Sequence, residues 1–313
     1  MIYLKSFDIP KDSWVDFYFN RPPAMFCEEI RIRENIPDNI SQVTPMTDCD
    51  ISYPWNVFYG KGRSHFEFGD ITIFYGGNGS GKSTLLNVIT QKLNLFRNNR
   101  YNKSNGFDDY VEICQHNELN RNEVSTVQRG KIITSEDVFD IILKKRKSNE
   151  DRENIRDKLI DKYYDPKELP WENLTDSEIL KQYKDILNIR KKSCSGYVRS
   201  LLESAKQELS NGETAFNYFV ETIKENSLVL LDEPENSLSA KWQVELSYFL
   251  LGTVLENNCQ LIISTHSPFL LSLRGARVYD LDTMPIMEKK WNELENVQCY
   301  YDLFKRYEYL FSE

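Results

Sequence analysis

A glycine-rich stretch carries the clearest chemical signal in the sequence. Residues 76–83 read Gly-Gly-Asn-Gly-Ser-Gly-Lys-Ser, which satisfies the pattern GxxxxGK followed by Ser or Thr. Glycines let the backbone curl until successive N–H groups point at a phosphate, and a helix that starts there adds its positive dipole end. Lys82 can reach a phosphate as a point charge, and the Ser83 hydroxyl suits Mg²⁺, which prefers hard oxygen ligands. We therefore predict a nucleotide-binding loop formed by Gly76, Asn78, Gly79, Ser80, Gly81, Lys82, Ser83 and Thr84.

Two adjacent carboxylates follow a second hydrophobic run. The segment SLVLLDE predicts a buried strand that ends in Asp232 and Glu233. In nucleoside triphosphatases of this architecture, an aspartate at the end of the strand holds the metal ion. The next acidic residue can orient and deprotonate an attacking water. We predict that Asp232 is a metal ligand together with Ser83 and that Glu233 is the catalytic base; a plain acidic turn is the simpler alternative.

A histidine follows another buried run. The segment LIISTHSP places His266 just past the end of a predicted strand. The carboxyl ends of parallel strands meet at one edge of a sheet, where ligands bind. We predict that His266 donates a hydrogen bond to the terminal phosphate and senses it, with a purely structural histidine as the alternative.

The elements around these motifs predict an α/β fold with a mainly parallel central sheet. Buried strands that alternate with helices are typical of a parallel sheet covered on both faces. Short alternating stretches in residues 1 to about 70 favour an antiparallel edge region. The predicted strands of the central sheet are 71–75, 227–232, 259–264 and 276–282, with a helix at 239–256.

A charged segment separates the two halves of this pattern. Residues 138–208 are almost continuously helical in pattern, and residues 141–209 hold 16 Lys or Arg against 13 Asp or Glu, an excess of three positive charges. Solvated amphipathic helices are the simplest interpretation, and a lobe that binds a partner is the alternative. We predict a core lobe formed by 1–137 and 209–313, with an inserted helical subdomain at 138–208.

The composition is that of a globular protein, with 40% hydrophobic and 28% charged residues. The net charge of −9 gives the whole molecule no attraction to nucleic acid or anionic lipid, although a local basic patch is compatible with it. No apolar run reaches the length that spans a bilayer, and the start lacks the apolar region of a signal peptide. We expect a cytoplasmic location.

Four stretches, taken in order, resemble the motifs of the ABC ATPase superfamily. GGNGSGKST resembles the Walker A motif, LSNGE the signature, LVLLDEPENSLS the Walker B motif with the D-loop, and IISTHSP the H-loop. The wider sequence is similar to stand-alone bacterial ABC-type ATPases of the AAA group, relatives of which occur in Septu-type defence modules beside nucleases. The resemblance implies a P-loop nucleoside triphosphatase fold of ABC type, ATP and Mg²⁺ as ligands, and ATP hydrolysis.

The same resemblance implies a head-to-tail homodimer. ATP on the Lys82 loop of one copy would meet Ser210 and the N–H groups around Gly212 of the other copy, where a helix begins near Glu213. A serine hydroxyl, a glycine and a helix N-terminus suit an anion, although a simple helix cap is the alternative. The family's LSGGQ reads LSNGE here. Asn211 tolerates a left-handed backbone, whereas Glu213 would repel a phosphate unless it turns away.

Two family features have no clear counterpart. The glutamine that usually follows the third core strand falls near Ser135 and Glu136, with Gln115 and Gln128 as weaker substitutes. The candidates for stacking on adenine are Tyr53, Phe58 and Tyr59.

Three functions are compatible with these motifs. The first is an ATP-driven switch that acts on nucleic acid or on a partner effector such as a nuclease, in a setting such as anti-phage defence. The second is the motor subunit of an ABC transporter, but such subunits usually read DEPTSALD, whereas Glu235 follows Pro234 here. They also have a shorter helical lobe, whereas 128 positions separate Lys82 from Ser210 here. The third is an ATP-dependent clamp with little turnover, against which the intact Glu233 argues. We favour the switch.

Overall fold

The computed structural model describes residues 3–19, 32–33, 53–104, 106–118, 130–145, 147, 158 and 211–311. The chain divides into two compact units: Met1–Phe139 with Asn211–Glu313 form one, and Asp140–Ser210 form the other. All elements below, apart from the end of one helix, belong to the first unit. The predicted helical subdomain at 138–208 lies largely outside the described residues and stays a prediction.

The described strands and helices alternate along the chain. The strands are β1 (Leu4–Asp8), β2 (His65–Glu67), β3 (Ile71–Tyr75), β4 (Gln115–Glu118), β5 (Lys131–Thr134), β6 (Leu228–Asp232), β7 (Gln260–Ser264), β8 (Arg277–Asp280) and β9 (Met287–Lys289). The helices are α1 (Asp12–Phe19), α2 (Trp55–Phe58), α3 (Lys82–Lys92), α4 (Phe107–Ile113), α5 (135–145), α6 (Asn211–Thr222), α7 (Ala240–Glu256), α8 (Pro268–Leu271) and α9 (Glu295–Arg306).

A six-stranded sheet in the order β5-β6-β7-β3-β8-β9 forms the centre of the first unit. Its first five strands run parallel, and β9 pairs antiparallel with β8 at the edge. Every residue of β3 and β7 is buried, as is every residue of β6 except the last. Such runs are expected where both faces of a parallel sheet are covered. The predicted parallel sheet is confirmed.

A second sheet, in the order β2-β1-β4, is antiparallel. Its strands β1 and β2 confirm the predicted edge region, whereas β4 comes from residues that we did not predict as a strand.

Buried contacts join the two sheets. The ring of Phe66 on β2 packs edge-on against Phe74 of β3 and Tyr279 of β8, with centroids 5.7 and 5.4 Å apart. The buried side chain of Gln260 accepts the backbone N–H of Leu4 and donates to its carbonyl oxygen, both at 2.8 Å. The antiparallel sheet is therefore fixed to the strands that carry the predicted site.

Within the part of the chain that the structure describes, none of the helices combines the length and the apolar character that crossing a bilayer requires.

Candidate functional site

The glycine-rich loop, residues 76–81, joins the carboxyl end of β3 to the start of α3. Gly81 has a φ of 103°, and a Cβ added to it would lie 2.6 Å from Cγ1 of Val57. A Cβ on Gly76 would lie 2.6 Å from Oγ of Ser80. Both positions require glycine because the loop folds closely over α2 and over itself.

Lys82 lies inside this loop and is only 4% exposed. Its Nζ donates to the carbonyl oxygens of Gly76 at 2.8 Å and Gly77 at 3.1 Å. The same atom lies 3.5 Å from Oε1 of Glu233. The loop's own carbonyls therefore hold a positive charge within the loop, beside the predicted catalytic carboxylate.

The two predicted metal ligands lie side by side. Oγ of Ser83 donates to Oδ1 of Asp232 at 2.9 Å, and Oγ of Ser264 donates to the same oxygen. Burial raises the pKa of Asp232, and the two hydroxyl donors oppose this shift. Sequence reasoning did not assign Ser264, although its place as the polar last residue of a buried strand was a usable signal.

Glu233 is held in an uncommon conformation. Its φ of 47° and ψ of 55° are left-handed, and its N–H donates to the carbonyl oxygen of Ser264 at 3.0 Å. Its Oε1 lies 2.9 Å from Nε2 of His266, and its Oε2 accepts from Nδ2 of Asn236 at 3.0 Å. The His266 hydrogen bond, followed by Asn236 and the charge of Lys82, lowers the pKa of Glu233 to about 2. Glu233 is therefore a carboxylate at neutral pH.

These contacts also define the state of His266. A carboxylate can only accept hydrogen bonds, so Nε2 of His266 must carry the proton that joins it to Glu233. The carbonyl oxygen of His266 accepts from Nδ2 of Asn296 at 3.0 Å, and the N–H of Asn296 donates to Oη of Tyr75 at 3.1 Å. The histidine is thus held at the sheet edge by α9 and β3.

A buried carboxylate that the sequence did not assign shapes the loop around His266. Glu235 is 9% exposed, and its Oε1 accepts from Oγ1 of Thr265 at 2.7 Å. The same oxygen accepts the N–H groups of His266 at 2.7 Å and Ser267 at 3.2 Å. Burial raises the pKa of Glu235. The only signal in the sequence was the acidic residue after Pro234.

Two more unassigned residues support the glycine-rich loop. The N–H of Gly77 donates to Oδ2 of Asp282 at 2.7 Å. Nζ of Lys61 donates to the carbonyl oxygens of Ser80 and Leu281, and burial lowers the pKa of this amine. Asp282 reaches the loop from 205 positions away in the sequence, whereas Lys61 precedes Ser80 by 19 positions.

The other predicted loop residues are spread over the tip and the first helical turn. Asn78 and Gly79 are exposed, whereas Ser80 is buried, and Thr84 is half-buried in α3. Oγ of Ser80 is buried without a hydrogen-bond partner in the described part of the chain.

The predicted signature is only partly described. Ser210 lies outside the described residues. Asn211 and Gly212 are both helical, so the left-handed turn that asparagine would tolerate is not found. A Cβ on Gly212 would lie 2.5 Å from Cδ1 of Trp242, which gives this glycine a packing reason within its own chain.

The candidates for the missing glutamine lie apart from one another. Ser135 and Glu136 start α5 directly after β5, Gln115 lies on the antiparallel strand β4, and Gln128 is outside the described residues. Among the candidates for stacking on adenine, Phe58 is buried in the core and Tyr53 packs on Phe107, which leaves Tyr59 with 40% exposure.

Comparison with solved structures finds similar ATPase domains at low sequence identity. The dimeric ATP-binding cassette MJ0796 in a post-hydrolysis state with ADP and Pi is 18% identical, with 74% of this chain and 91% of that chain covered and a TM-score of 0.35. The Smc head domain of Pyrococcus furiosus is 12% identical, with 76% and 94% covered and a TM-score of 0.36. A putative metal-chelate type ABC transporter is 19% identical, with 76% and 80% covered and a TM-score of 0.33. No curated protein matches the chain significantly.

Comparison with family models finds two matches. The model described as "AAA domain, putative AbiEii toxin, Type IV TA system" matches residues 201–272. The model described as "ABC transporter" matches residues 63–236, more than half of the chain, and this range contains both the glycine-rich loop and the acidic pair. The chain therefore belongs to the ABC family of P-loop ATPases, enzymes that bind and hydrolyse ATP.

Proposed function

We propose that the protein is an ATP-gated homodimeric switch that acts on nucleic acid or on a partner effector. The observation that carries this proposal is the convergence of Lys82, Ser83, Asp232, Glu233 and His266 at the carboxyl edge of one sheet. Each of these side chains has the type and the neighbours that its proposed role in hydrolysis needs. Because every residue that hydrolysis is proposed to need is present, a switch that hydrolyses ATP is favoured over an ATP-dependent clamp with little turnover.

The residues fit ATP with Mg²⁺. The unpartnered Oγ of Ser80 and the lack of room for a Cβ at Gly76 and Gly81 suit a loop that closes around phosphates. Gly76–Thr84, with Lys82 as the positive charge, would hold the phosphates. Ser83 and Asp232 present adjacent hard oxygens and would hold Mg²⁺, which neutralises phosphate charge when it is bound.

Glu233 and His266 share the proton-handling roles. Glu233 would orient and deprotonate the attacking water, and His266, with its proton on Nε2, would donate to the terminal phosphate. Besides the Asn236 amide, two groups keep Glu233 a weak base, the hydrogen bond from His266 and the charge of Lys82, and both of these side chains are also attracted by a phosphate. When they turn to the phosphate, the pKa of Glu233 rises from about 2 and the carboxylate becomes a stronger base.

The signature segment of a second copy would complete the site. Ser210 and the N–H groups near Gly212 follow the family's motif order, and α6 begins at or before Asn211 in the described chain. ATP bound to Lys82 of one copy would join the two copies, and hydrolysis would separate them. A ligand that binds the closed state better shifts the population towards it, which is how ATP would gate an output.

The ATP-driven change between joined and separated copies would act on a partner effector, such as a nuclease, or on a nucleic acid in the cytoplasm. The description of the model that matches residues 201–272 mentions a toxin of a toxin–antitoxin system, which supports a setting in bacterial defence. The motor subunit of a transporter is the second candidate, because the longer match carries the description "ABC transporter". Glu235, where transporter subunits usually have threonine, favours the switch.

Replacing Glu233 with glutamine tests the proposed switch. Glu233→Gln removes the base but keeps the shape of the side chain, so we expect it to accumulate as an ATP-bound dimer with Mg²⁺. Light scattering after size-exclusion chromatography would measure this. Lys82→Ala is the control, because it removes the buried positive charge of the loop and should abolish ATP binding and leave a monomer. A Glu233→Gln protein that binds ATP yet stays monomeric would contradict the gated dimer.

A further inference from the structure

A groove of about 730 Å³ lies beside the end of α3. Residues from Gln91 to Lys103 line it: three cationic, four amide and two aromatic side chains and one leucine. Its described lining contains no carboxylate, although the whole chain carries a net charge of −9. The lining of the groove is therefore cationic, and the carboxylates of Asp232, Asp137 and Glu136 act on Arg97 from outside this lining.

Phe96 presents its ring to solvent from a fixed backbone. Its side chain is 57% exposed. Its N–H donates to the carbonyl oxygen of Gly130 at 2.9 Å, and its own carbonyl oxygen accepts the N–H of Ile132 at 3.0 Å. The amine of Lys131 lies 5.5 Å from the ring centroid. Backbone pairing with the edge strand β5 thus keeps the apolar ring of Phe96 exposed to solvent beside the amine of Lys131.

Arg97 forms the base of the groove. Its guanidinium lies 4.3 Å from the ring centroid of Tyr101 and donates to Oδ1 of Asn87. Its Nε and Nη1 are buried and have no hydrogen-bond partner in the described part of the chain. Oη of Tyr101 in turn donates to Oε1 of Gln91 at 2.9 Å. These contacts hold a positive charge in place beneath the groove.

The rim adds a second arginine and neutral amides. Arg100 is exposed and makes no ion pair within the described part of the chain, whereas Lys103 pairs with Asp108 at 2.7 Å. Asn98 and Asn99 line the same groove. An amide can both donate to and accept from the edges of any base.

We propose that this groove binds single-stranded nucleic acid. Phe96 stacks on a base, Arg100 contacts the backbone phosphate, and the amides of Asn98 and Asn99 contact base edges. A cationic groove with an exposed aromatic ring is the combination that binds single strands without strong sequence preference. In a duplex the base faces are stacked on one another, so the ring of Phe96 would have no base to stack on. The assignment rests on the proposed function and names the nucleic acid on which the switch acts.

Fluorescence anisotropy with a labelled single-stranded oligothymidine, and with a duplex of the same length, tests the assignment on the full chain. We expect the single strand to bind at least about tenfold more tightly. Phe96→Ala should weaken its binding by roughly 5- to 100-fold with an unchanged salt dependence, since stacking does not release counterions. Arg100→Ala should reduce the slope of log affinity against log salt by about 0.7, the value for one lost phosphate contact on a single strand.

Two matched variants control for general effects. Phe304→Ala removes a phenylalanine with the same 57% exposure outside the groove, and Arg274→Ala removes an exposed arginine in the turn before β8. Both should bind the oligonucleotide as the wild type does. Equal binding of the duplex, unchanged binding by Phe96→Ala, or no binding of the single strand would each overturn the assignment. ATP-dependent dimerisation of Glu233→Gln, measured on the same samples, shows separately whether the proposed switch survives.

Discussion

At the scale of single residues, the site separates two adjacent carboxylic acids. Burial raises the pKa of Asp232, whereas hydrogen bonds from His266 and Asn236 and the charge of Lys82 lower the pKa of Glu233. Neighbouring acids with opposite shifts are suited to different tasks, and the proposed tasks here are metal binding for Asp232 and proton transfer for Glu233. The left-handed backbone of Glu233 costs on the order of 1–3 kcal/mol and persists only where the surroundings enforce it. Its contacts with Ser264 and Asn236 supply that constraint.

The first prediction concerns the titration of Glu233. Between pH 7 and about 3.5 we expect no transition of its carboxyl ¹³C resonance in the wild type, because a group with a pKa of about 2 stays ionised in this range. His266→Ala removes the largest cause of the shift, so its Glu233 should begin to titrate as the pH falls towards 4.5. An identical titration in both proteins would refute the assigned cause.

The same shift has a consequence for stability. The pKa of Glu233 in the folded protein lies below its ordinary value of 4.5, so its contacts stabilise the fold fully above pH 4.5. This stabilisation is lost as the pH falls from 4.5 to about 2. The loss should be smaller in His266→Ala, which chemical denaturation at several pH values would show.

At the scale of elements, the positions of the proposed catalytic groups depend on hydrogen bonds between two loops, the turn after β6 and the loop between β7 and α8. Glu235 lies in the turn after β6, and its three hydrogen bonds hold the loop between β7 and α8. Oγ of Ser267 donates to Oε1 of Gln243 on α7 at 2.7 Å, which adds a second link. The position of His266 against Glu233 is therefore set by the ends of two adjacent strands and not by either loop alone.

The second prediction tests Glu235 as a positioning residue. Glu235→Ala leaves three donors without their acceptor in a buried site, which costs about 1–3 kcal/mol for each unsatisfied group. We expect kcat for ATP hydrolysis to fall at least about tenfold, while KM for ATP changes little because the phosphate loop is intact. Glu235→Gln keeps an acceptor oxygen and should recover most of kcat. A glutamine variant as inactive as the alanine variant would show that the charge of Glu235 matters and not its position.

At the scale of the whole molecule, the proposed site is shared between two copies. The proposed hydrolytic residues of one chain gather at one sheet edge, whereas Ser210 of the predicted signature lies 128 positions after Lys82 in the sequence. A head-to-tail dimer has two equivalent sites, each with one loop and one signature. Damage to the loop and damage to the signature should therefore complement each other.

The third prediction is this complementation. Lys82→Ala removes the loop charge, and Ser210→Glu places a carboxylate where a phosphate would bind, so each variant alone should lack ATPase activity. In an equal mixture, only a dimer that pairs one variant with the other contains an intact site, formed by the loop of Ser210→Glu and the signature of Lys82→Ala, so the mixture should hydrolyse ATP. Steady-state ATPase assays of the mixture measure this. Activity equal to the mean of the separate variants would exclude a shared site.

Much of the parallel sheet could be predicted from the sequence, whereas the roles assigned to the site residues stay predictions. The strands β3, β6 and β7 appear as largely apolar runs, and the predicted phosphate loop is eight consecutive residues. The strand β4 could not be predicted, because its residues Gln115–Glu118 are polar and pair only through β1. The residue that stacks on adenine could not be chosen from the sequence either, because only tertiary packing distinguishes the buried Phe58 from the exposed Tyr59.

The sequence by itself predicts that this chain binds a phosphate at Gly76–Thr84, because such a loop is built from local backbone geometry and neighbouring side chains. Only the tertiary structure decided which side chains form hydrogen bonds with that loop. Asp282 reaches Gly77 across 205 positions, and Lys61, which also donates to Ser80, reaches Leu281 across 220 positions. Contacts of this kind depend on how the strands of the sheet are ordered, and the free energy that selects that order is spread over the whole core and not over any one motif.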